Sequence, residues 1–347
     1  MRWLAVGLCC LLAAPASAQS WATRELCLEQ EPKVHPEAFA PRTYEEIQQL
    51  AADIPNGTGR FWRVESADGA VSHLWGTMHS NAPHILDLPE AVTTEIAAAR
   101  TVAIESDYTG QTRRDVFHQN AAARYILDNL TIDTVDFGIP LDMENWIRTR
   151  LAGLGWGYDA YATLRPAAIA EILLFHPCND FHDGSFPIQD YHIQLQGALA
   201  GADLIGLEDR NAFYDRLNDP ANLDLAAAII ATYGAYLDPE QTQEAYATFD
   251  ALYLSGRIAE MMAWERVFFD HRYPDGEGAD WLARTNAYLL TERNETFLAT
   301  ALPELEKGGV FMAMGAFHLP RDTGMIALLR GEGYTVTRIP LSGEAPS

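Results

Sequence analysis

The sequence predicts an α/β protein: a central mixed sheet built from two related halves, a large helical insertion, and motif residues at strand carboxyl ends. Three observations predict it. First, Gly76-Thr77-Met78-His79 and Gly315-Ala316-Phe317-His318 repeat one short pattern near the two ends of the chain. Second, each copy follows an apolar run that reads as a buried strand, Leu74-Trp75 and Val310-Phe311-Met312-Ala313-Met314. Third, the stretch between them, about residues 110–300, mostly carries apolar residues at helical spacing.

The elements follow in order. Arg2, the apolar run Trp3 to Ala14 and the small residues Ala16-Ser17-Ala18 read as a cleavable signal over 1–18, with the mature chain starting at Gln19. Cys9 and Cys10 lie inside the apolar run and neither follows the small residue that lipid attachment wants. A soluble periplasmic or secreted protein is therefore expected. Residues 19–59 form an N-terminal extension with one short helix, Tyr44 to Ala52, closed by the turn cluster Asn56-Gly57-Thr58-Gly59. The main domain is expected over 60–342. It opens with a hairpin of Phe61 to Glu65 and Ser72 to Trp75 around Gly69. Leu88-Pro89-Glu90 starts a helix to Arg100, and Val102-Ala103-Ile104 returns as a strand ending in Glu105. Helical spacing covers Asp115 to Asn129, Asp142 to Leu154, Tyr158 to Phe175 and Ile188 to Ala200. Ala202 to Leu207 is a lone strand ending in Glu208, and Asn211 to Ala301 is helical again. Val310 to Met314, Thr323 to Arg330 and Tyr334 to Ile339 close the chain as strand, helix and strand, with the turn at Gly331 and Gly333.

Composition bounds the function. A formal charge of −24 opposes binding to nucleic acid and to anionic membrane surfaces. No later stretch reaches the ~20 apolar residues of a membrane span. Removal of the signal leaves Cys27 and Cys178, an even pair that an oxidising compartment would join as a disulfide; two free thiols are the alternative.

The chemistry-bearing residues gather where open α/β sheets bind ligands, outside the strand carboxyl ends. His79 and His318 each offer a neutral nitrogen to a metal, or a base near neutral pH. Glu105 and Glu208 offer oxygen ligands or a general base. Two histidines and a carboxylate with an open position form a recurring catalytic metal site. The alternative is that both histidines only cap strand ends by hydrogen bonding. A second cluster, His176, Cys178, Asp180, His182 and Asp183, matches no standard zinc spacing.

Taken in order, Leu-Trp-Gly-Thr-Met-His, Glu105 at a strand end, Asp190 in Ile-Gln-Asp-Tyr-His, Leu207-Glu208, Arg293-Asn294 and Met-Gly-Ala-Phe-His-Leu resemble the TraB/GumN family. That family is related to the Tiki-type metalloproteases and, more distantly, to the erythromycin-esterase and ChaN-like group. The resemblance runs from about Phe61 to Ile339. It implies a compact α/β fold of two related halves, with the motif residues lining a central cleft. His79, Glu105 and His318 match the family's core motif; Asp190, Glu208, Arg293 and Asn294 match accompanying polar positions that bind substrate or support the core. From the residues alone, Arg293 either orients a carboxylate or anionic substrate group, or forms a helix-to-sheet salt bridge. Asp190 either faces the cleft or complements the dipole of the helix it opens.

The expected function is an exported, metal-dependent, peptidase-like or esterase-like hydrolase. Its divalent ion, manganese, cobalt or zinc, would be held by His79, His318 and Glu105, and it would act on a peptide or small molecule. The alternative is a non-catalytic protein that captures a peptide, a small ligand or haem in the same cleft.

Overall fold

A computed structural model describes Cys27 and residues 31–107, 137–181 and 188–346. The signal sequence over 1–18 and the helix expected over Asp115 to Asn129 lie outside these residues, as do His182 and Asp183.

The elements are α1 (Tyr44–Ala51), β1 (Phe61–Glu65), β2 (Val71–Thr77), α2 (Pro83–Leu86), α3 (Glu90–Ala98) and β3 (Thr101–Ile104). Then come α4 (Leu141–Gly153), α5 (Pro166–Leu174), α6 (Gln189–Ala200), β4 (Asp203–Gly206), α7 (Arg210–Leu217) and α8 (Leu223–Gly234). The rest are α9 (Gln243–Leu254), α10 (Ile258–Arg272), α11 (Glu277–Asn286), α12 (Arg293–Leu305), β5 (Val310–Gly315), α13 (Met325–Gly331) and β6 (Thr335–Arg338).

The six strands form one mixed sheet in the order β4-β3-β5-β2-β1-β6. β4, β3, β5 and β2 are mutually parallel, while β1 runs antiparallel to both β2 and β6. Strands buried on both faces read as unbroken apolar runs, which is why Val310 to Met314 lacks polar alternation. Its odd and even residues serve opposite layers. Val310, Met312 and Met314 pack with Phe297, Ala301 and Leu305 of α12 and Ile326 and Leu329 of α13. Phe311 and Ala313 pack with Val92 and Ile96 of α3 and Ile193 of α6. Fully burying one such large side chain stabilises the fold by about 1.5–3 kcal/mol. A separate apolar cluster joins α4, α5, α8 and α11 through Met143, Ile147, Ile169, Ile229 and Leu282.

The register fixes the functional edge. Thr77 pairs with Gly315, and Ile104 pairs with both Ala313 and Gly206. Four parallel strands therefore end together, and the residues just past them are His79, Glu105, Glu208 and His318. Gly76 allows this closeness: a Cβ there would lie 2.8 Å from Leu319 Cδ1 and 3.1 Å from the Ala316 backbone.

One helix expected from sequence is broken, and the helical stretch after β4 resolves into separate helices. Tyr158 to Phe175 splits into a 3-10 turn (Tyr158–Ala162) and α5, because Pro166 pushes Arg165 into extended backbone, φ −69° and ψ 151°. Asn211 to Ala301 divides at Pro220, at Gly256 (φ +67°) and at Asp275-Gly276 (φ +64° and +84°). The N-terminal extension is tied down more closely than its irregular sequence suggested. Thr43 and Glu46 form a reciprocal cap on α1, and Phe39 is fully buried, stacked 4.7 Å from Tyr44. At the other end of the chain, Glu344 is buried against Arg60 and Arg338. Among the described residues no helix is long and apolar enough to cross a membrane.

Cys27 and Cys178 form a disulfide that closes a sequence separation of 151 residues. Cross-links over long loops restrict the unfolded chain, typically by 2–4 kcal/mol. Replacing both cysteines by serine is expected to destabilise the protein by about 2–5 kcal/mol, measured as a lower denaturant midpoint. An unchanged midpoint would show that the bond contributes nothing.

Candidate functional site

Glu105 stands at the end of β3 and is the centre of the polar cluster. Its Oε1 lies 3.8 Å from His79 Nε2 and 3.6 Å from His318 Nε2, and accepts a hydrogen bond from the Gly315 N–H at 2.8 Å. Its Oε2 accepts a hydrogen bond from Arg293 Nη2 at 2.7 Å. The same guanidinium donates to both oxygens of Glu208, from Nη2 at 2.6 Å and from Nε at 3.0 Å. Arg293 thus forms a helix-to-sheet salt bridge and orients the Glu105 carboxylate at once.

Each histidine has a partner on its other nitrogen. Asp190 Oδ2 lies 3.0 Å from His79 Nδ1, and Thr77 Oγ1 donates to Asp190 Oδ1 at 2.8 Å. Asp190 is 5% exposed, so its carboxylate faces the cluster although it opens α6. Asn294 Oδ1 lies 2.7 Å from His318 Nδ1, while Asn294 Nδ2 donates to the carbonyls of His318 and Thr323. With the amide nitrogen committed to two carbonyls, Oδ1 must accept, so His318 Nδ1 carries the proton. A neutral His318 then turns an unprotonated Nε2 towards Glu105.

Arg293 and Asn294 are aimed by an irregularity. A π-helical turn, Ala287–Glu292, joins α11 to α12 and re-phases the helix just before these two residues. Such turns recur at functional sites.

Burial opposes ionisation of Glu105, but Arg293, both histidines and the Gly315 amide outweigh it and hold the carboxyl well below its usual range. Burial dominates at His318 and pushes it down to about 4. At His79 burial opposes the cation, yet Asp190 and Glu105 together raise it to about 9. The His79 side chain keeps 39% of its surface, so one face of the charged cluster reaches solvent.

The donor set suits a metal. Ligand atoms of His79, Glu105 and Asp190 lie within 4.8 Å of one another. This triad takes Asp190 where the sequence pointed to His318, whose Nε2 approaches the same Glu105 oxygen. Mixed imidazole and carboxylate donors match zinc, cobalt or manganese. The rival cluster lacks its thiol, because Cys178 is bonded to Cys27.

Sequence reasoning missed the supports behind His79. Gln189, buried beside Asp190, accepts from Trp75 Nε1, the Met78 amide and the Tyr253 hydroxyl. Asn179 donates to the His79 carbonyl at 3.0 Å. Their only trace in the sequence is the adjacency of Gln189 to Asp190.

The fold and cluster define an α/β protein with a potential metal-binding site at its strand carboxyl ends. The chain belongs to the TraB/PrgY/gumN family, whose model matches residues 60–338. Neither the search of curated proteins nor that of solved structures found a match.

The His79 pair has a pH signature. A pKa raised from 6.5 to about 9 contributes stability that is complete below pH 6.5 and lost as the pH rises through about 9. In metal-free protein, Asp190→Asn should therefore cost more stability at pH 6 than at pH 10, and its His79 ring should titrate below 9 by NMR. Equal costs at both pH values would contradict the pairing.

Proposed function

We propose that this protein is a metal-dependent hydrolase of peptide or ester bonds, exported by residues 1–18. The observation that carries the reading is the placement of two imidazole Nε2 atoms within 3.8 Å of one ionised carboxylate oxygen, at the solvent-reaching ends of the four parallel strands of the sheet. The disulfide supports export, since such bonds persist in oxidising compartments.

His79 and Glu105, with Asp190 or His318 as the third donor, would hold the ion. A divalent cation there would polarise a substrate carbonyl and acidify water. The protein's own groups divide the remaining work. Glu105, held ionised far below neutral pH, is a weak proton acceptor, so it serves as a fixed negative charge and ligand rather than as the general base. His318 stays neutral in the physiological range and offers its Nε2 lone pair. Without the ion, His79 is protonated up to about 9 and its charge is paired with Asp190. As a ligand it must first lose that proton, so metal affinity should rise with pH towards 9. The Asp190–His79 pair also supports a second reading, in which these residues activate water without a metal.

Elemental analysis separates the readings. Wild-type protein purified without chelator is expected to carry about one divalent ion per chain, and His79→Ala/His318→Ala none. Activity on a broad peptide and ester panel that survives rigorous metal removal would overturn the metal route, and turnover of nothing would favour pure ligand capture.

Gly315 provides a finer probe. A Cβ built there lies 3.3 Å from Glu105 Oε1, 3.5 Å from His318 Cδ2 and 3.6 Å from His79 Nε2, in the space the three share. The backbone at Gly315 (φ −47°, ψ 134°) accepts alanine. Gly315→Ala is expected to keep the fold and lower metal occupancy at least tenfold, read by the same analysis.

A further inference from the structure

Three polar side chains beside the cluster retain open hydrogen-bonding capacity. Arg321 follows His318 by three residues, and its guanidinium makes no hydrogen bond or ion pair to a described residue. Its backbone is left-handed, φ +75°, fixed by the Arg321 N–H to the Pro55 carbonyl and by the Gly324 N–H to its own carbonyl. A non-glycine residue there is unusual and stores strain. On α10, Glu265 accepts from the Tyr236 hydroxyl through Oε1, while its buried Oε2 has no partner among the described residues. On α8, the Tyr233 hydroxyl makes no hydrogen bond to a described residue, and its ring lies 5.9 Å from that of Tyr236.

Packing connects these groups to the cluster. Ala316 and Phe317, just before His318, share an apolar cluster with Ala263 and Trp264 of α10, next to Glu265, and Tyr236 bridges Glu265 by its hydroxyl and Tyr233 by its ring. All three residues are partly buried, none closed off. Buried polar groups are normally paired, and Glu265 Oε2 is buried without a partner among the described residues; with the open Arg321 and Tyr233 groups nearby it marks a place for a polar ligand group.

We propose that Tyr233, Glu265 and Arg321 form a subsite for a carboxylate of the substrate, so that the cluster acts on a bond near a free carboxyl terminus or an acidic side chain. The proposal rests on the hydrolase reading and names its substrate class. All three groups can donate to an anion. Arg321 supplies paired N–H groups that match a carboxylate, Tyr233 supplies its hydroxyl, and Glu265 donates when protonated. Burial raises Glu265 to about 7, which keeps that form available near neutral pH. In a chain of net charge −24, holding an anion requires such a local cation.

The test is binding, not turnover. Randomised N-acetyl-tetrapeptide pools are equilibrated with the full chain and the retained peptides counted by mass spectrometry. One pool has free carboxyl termini and lacks Asp and Glu, the second is its carboxamide, and the third is a carboxamide pool containing Asp and Glu. Retention of the first over the second by at least tenfold assigns a terminal carboxylate, and of the third over the second an acidic side chain. Arg321→Gly suits the left-handed backbone, so it should fold with an unchanged or higher Tm and lose the preference. Tyr233→Phe should weaken the preference several-fold. The His79→Ala/His318→Ala protein should keep it even if no hydrolysis is ever found. Equal or absent retention of all three pools, or an Arg321→Gly protein with its preference intact, overturns the subsite.

Discussion

The Glu105 carboxylate is the constraint around which the rest is arranged. Taking one carboxylate out of water costs several kcal/mol unless charge and hydrogen bonds compensate. This one sits at a strand end where only 11% of its side chain is exposed, and Arg293, the Gly315 amide and the His79 cation answer its charge. Arg293 arrives from a helix, the Gly315 amide from the adjacent strand, and two imidazoles from the loops beyond β2 and β5. Removing Arg293 or the His79 cation leaves the others facing a buried charge that they no longer balance. The polar cluster and the packing of the sheet edge are therefore one structural problem.

The helical side of the molecule solves half of it. α12 packs its Phe297 and Ala301 face on the sheet while its first two residues, Arg293 and Asn294, reach the acid and the His318 ring. An uninterrupted α-helix would present those residues at a different angle. The π turn before them lets the helix bury its apolar stripe and deliver two polar side chains to the strand ends. Glu208 shares Arg293 with Glu105, so the arginine stays fully paired even when the Glu105 oxygens engage something else.

Much of this was legible in the sequence because it depends on strand position alone. An apolar run with no polar alternation signals a buried strand, and whatever follows it lies at the ligand-binding edge; that logic reached His79, Glu105, Glu208 and His318. What escaped it depends on how helices cross the sheet. Asp190 read more readily as a dipole partner, because nothing local tells which way an N-terminal carboxylate turns. Gln189 and Asn179 act through backbone groups more than 90 residues away, which no spacing encodes. The π turn has no proline or glycine to announce it. By contrast, the break before Pro166 was written in the chain, and helical periodicity on either side obscured it.

The disulfide reaches further than its own neighbourhood. Cys178 sits in the 3-10 turn Pro177–Phe181, and the next residue, Asn179, donates to the His79 carbonyl and accepts from the Asn81 amide. The cross-link therefore anchors the turn that grips the first histidine loop. Opening that bond would remove the covalent anchor of the turn and leave the Asn179 hydrogen bonds to hold it against the His79 backbone. A covalent bond to the N-terminal segment thus reaches the His79 backbone through one intervening side chain, Asn179.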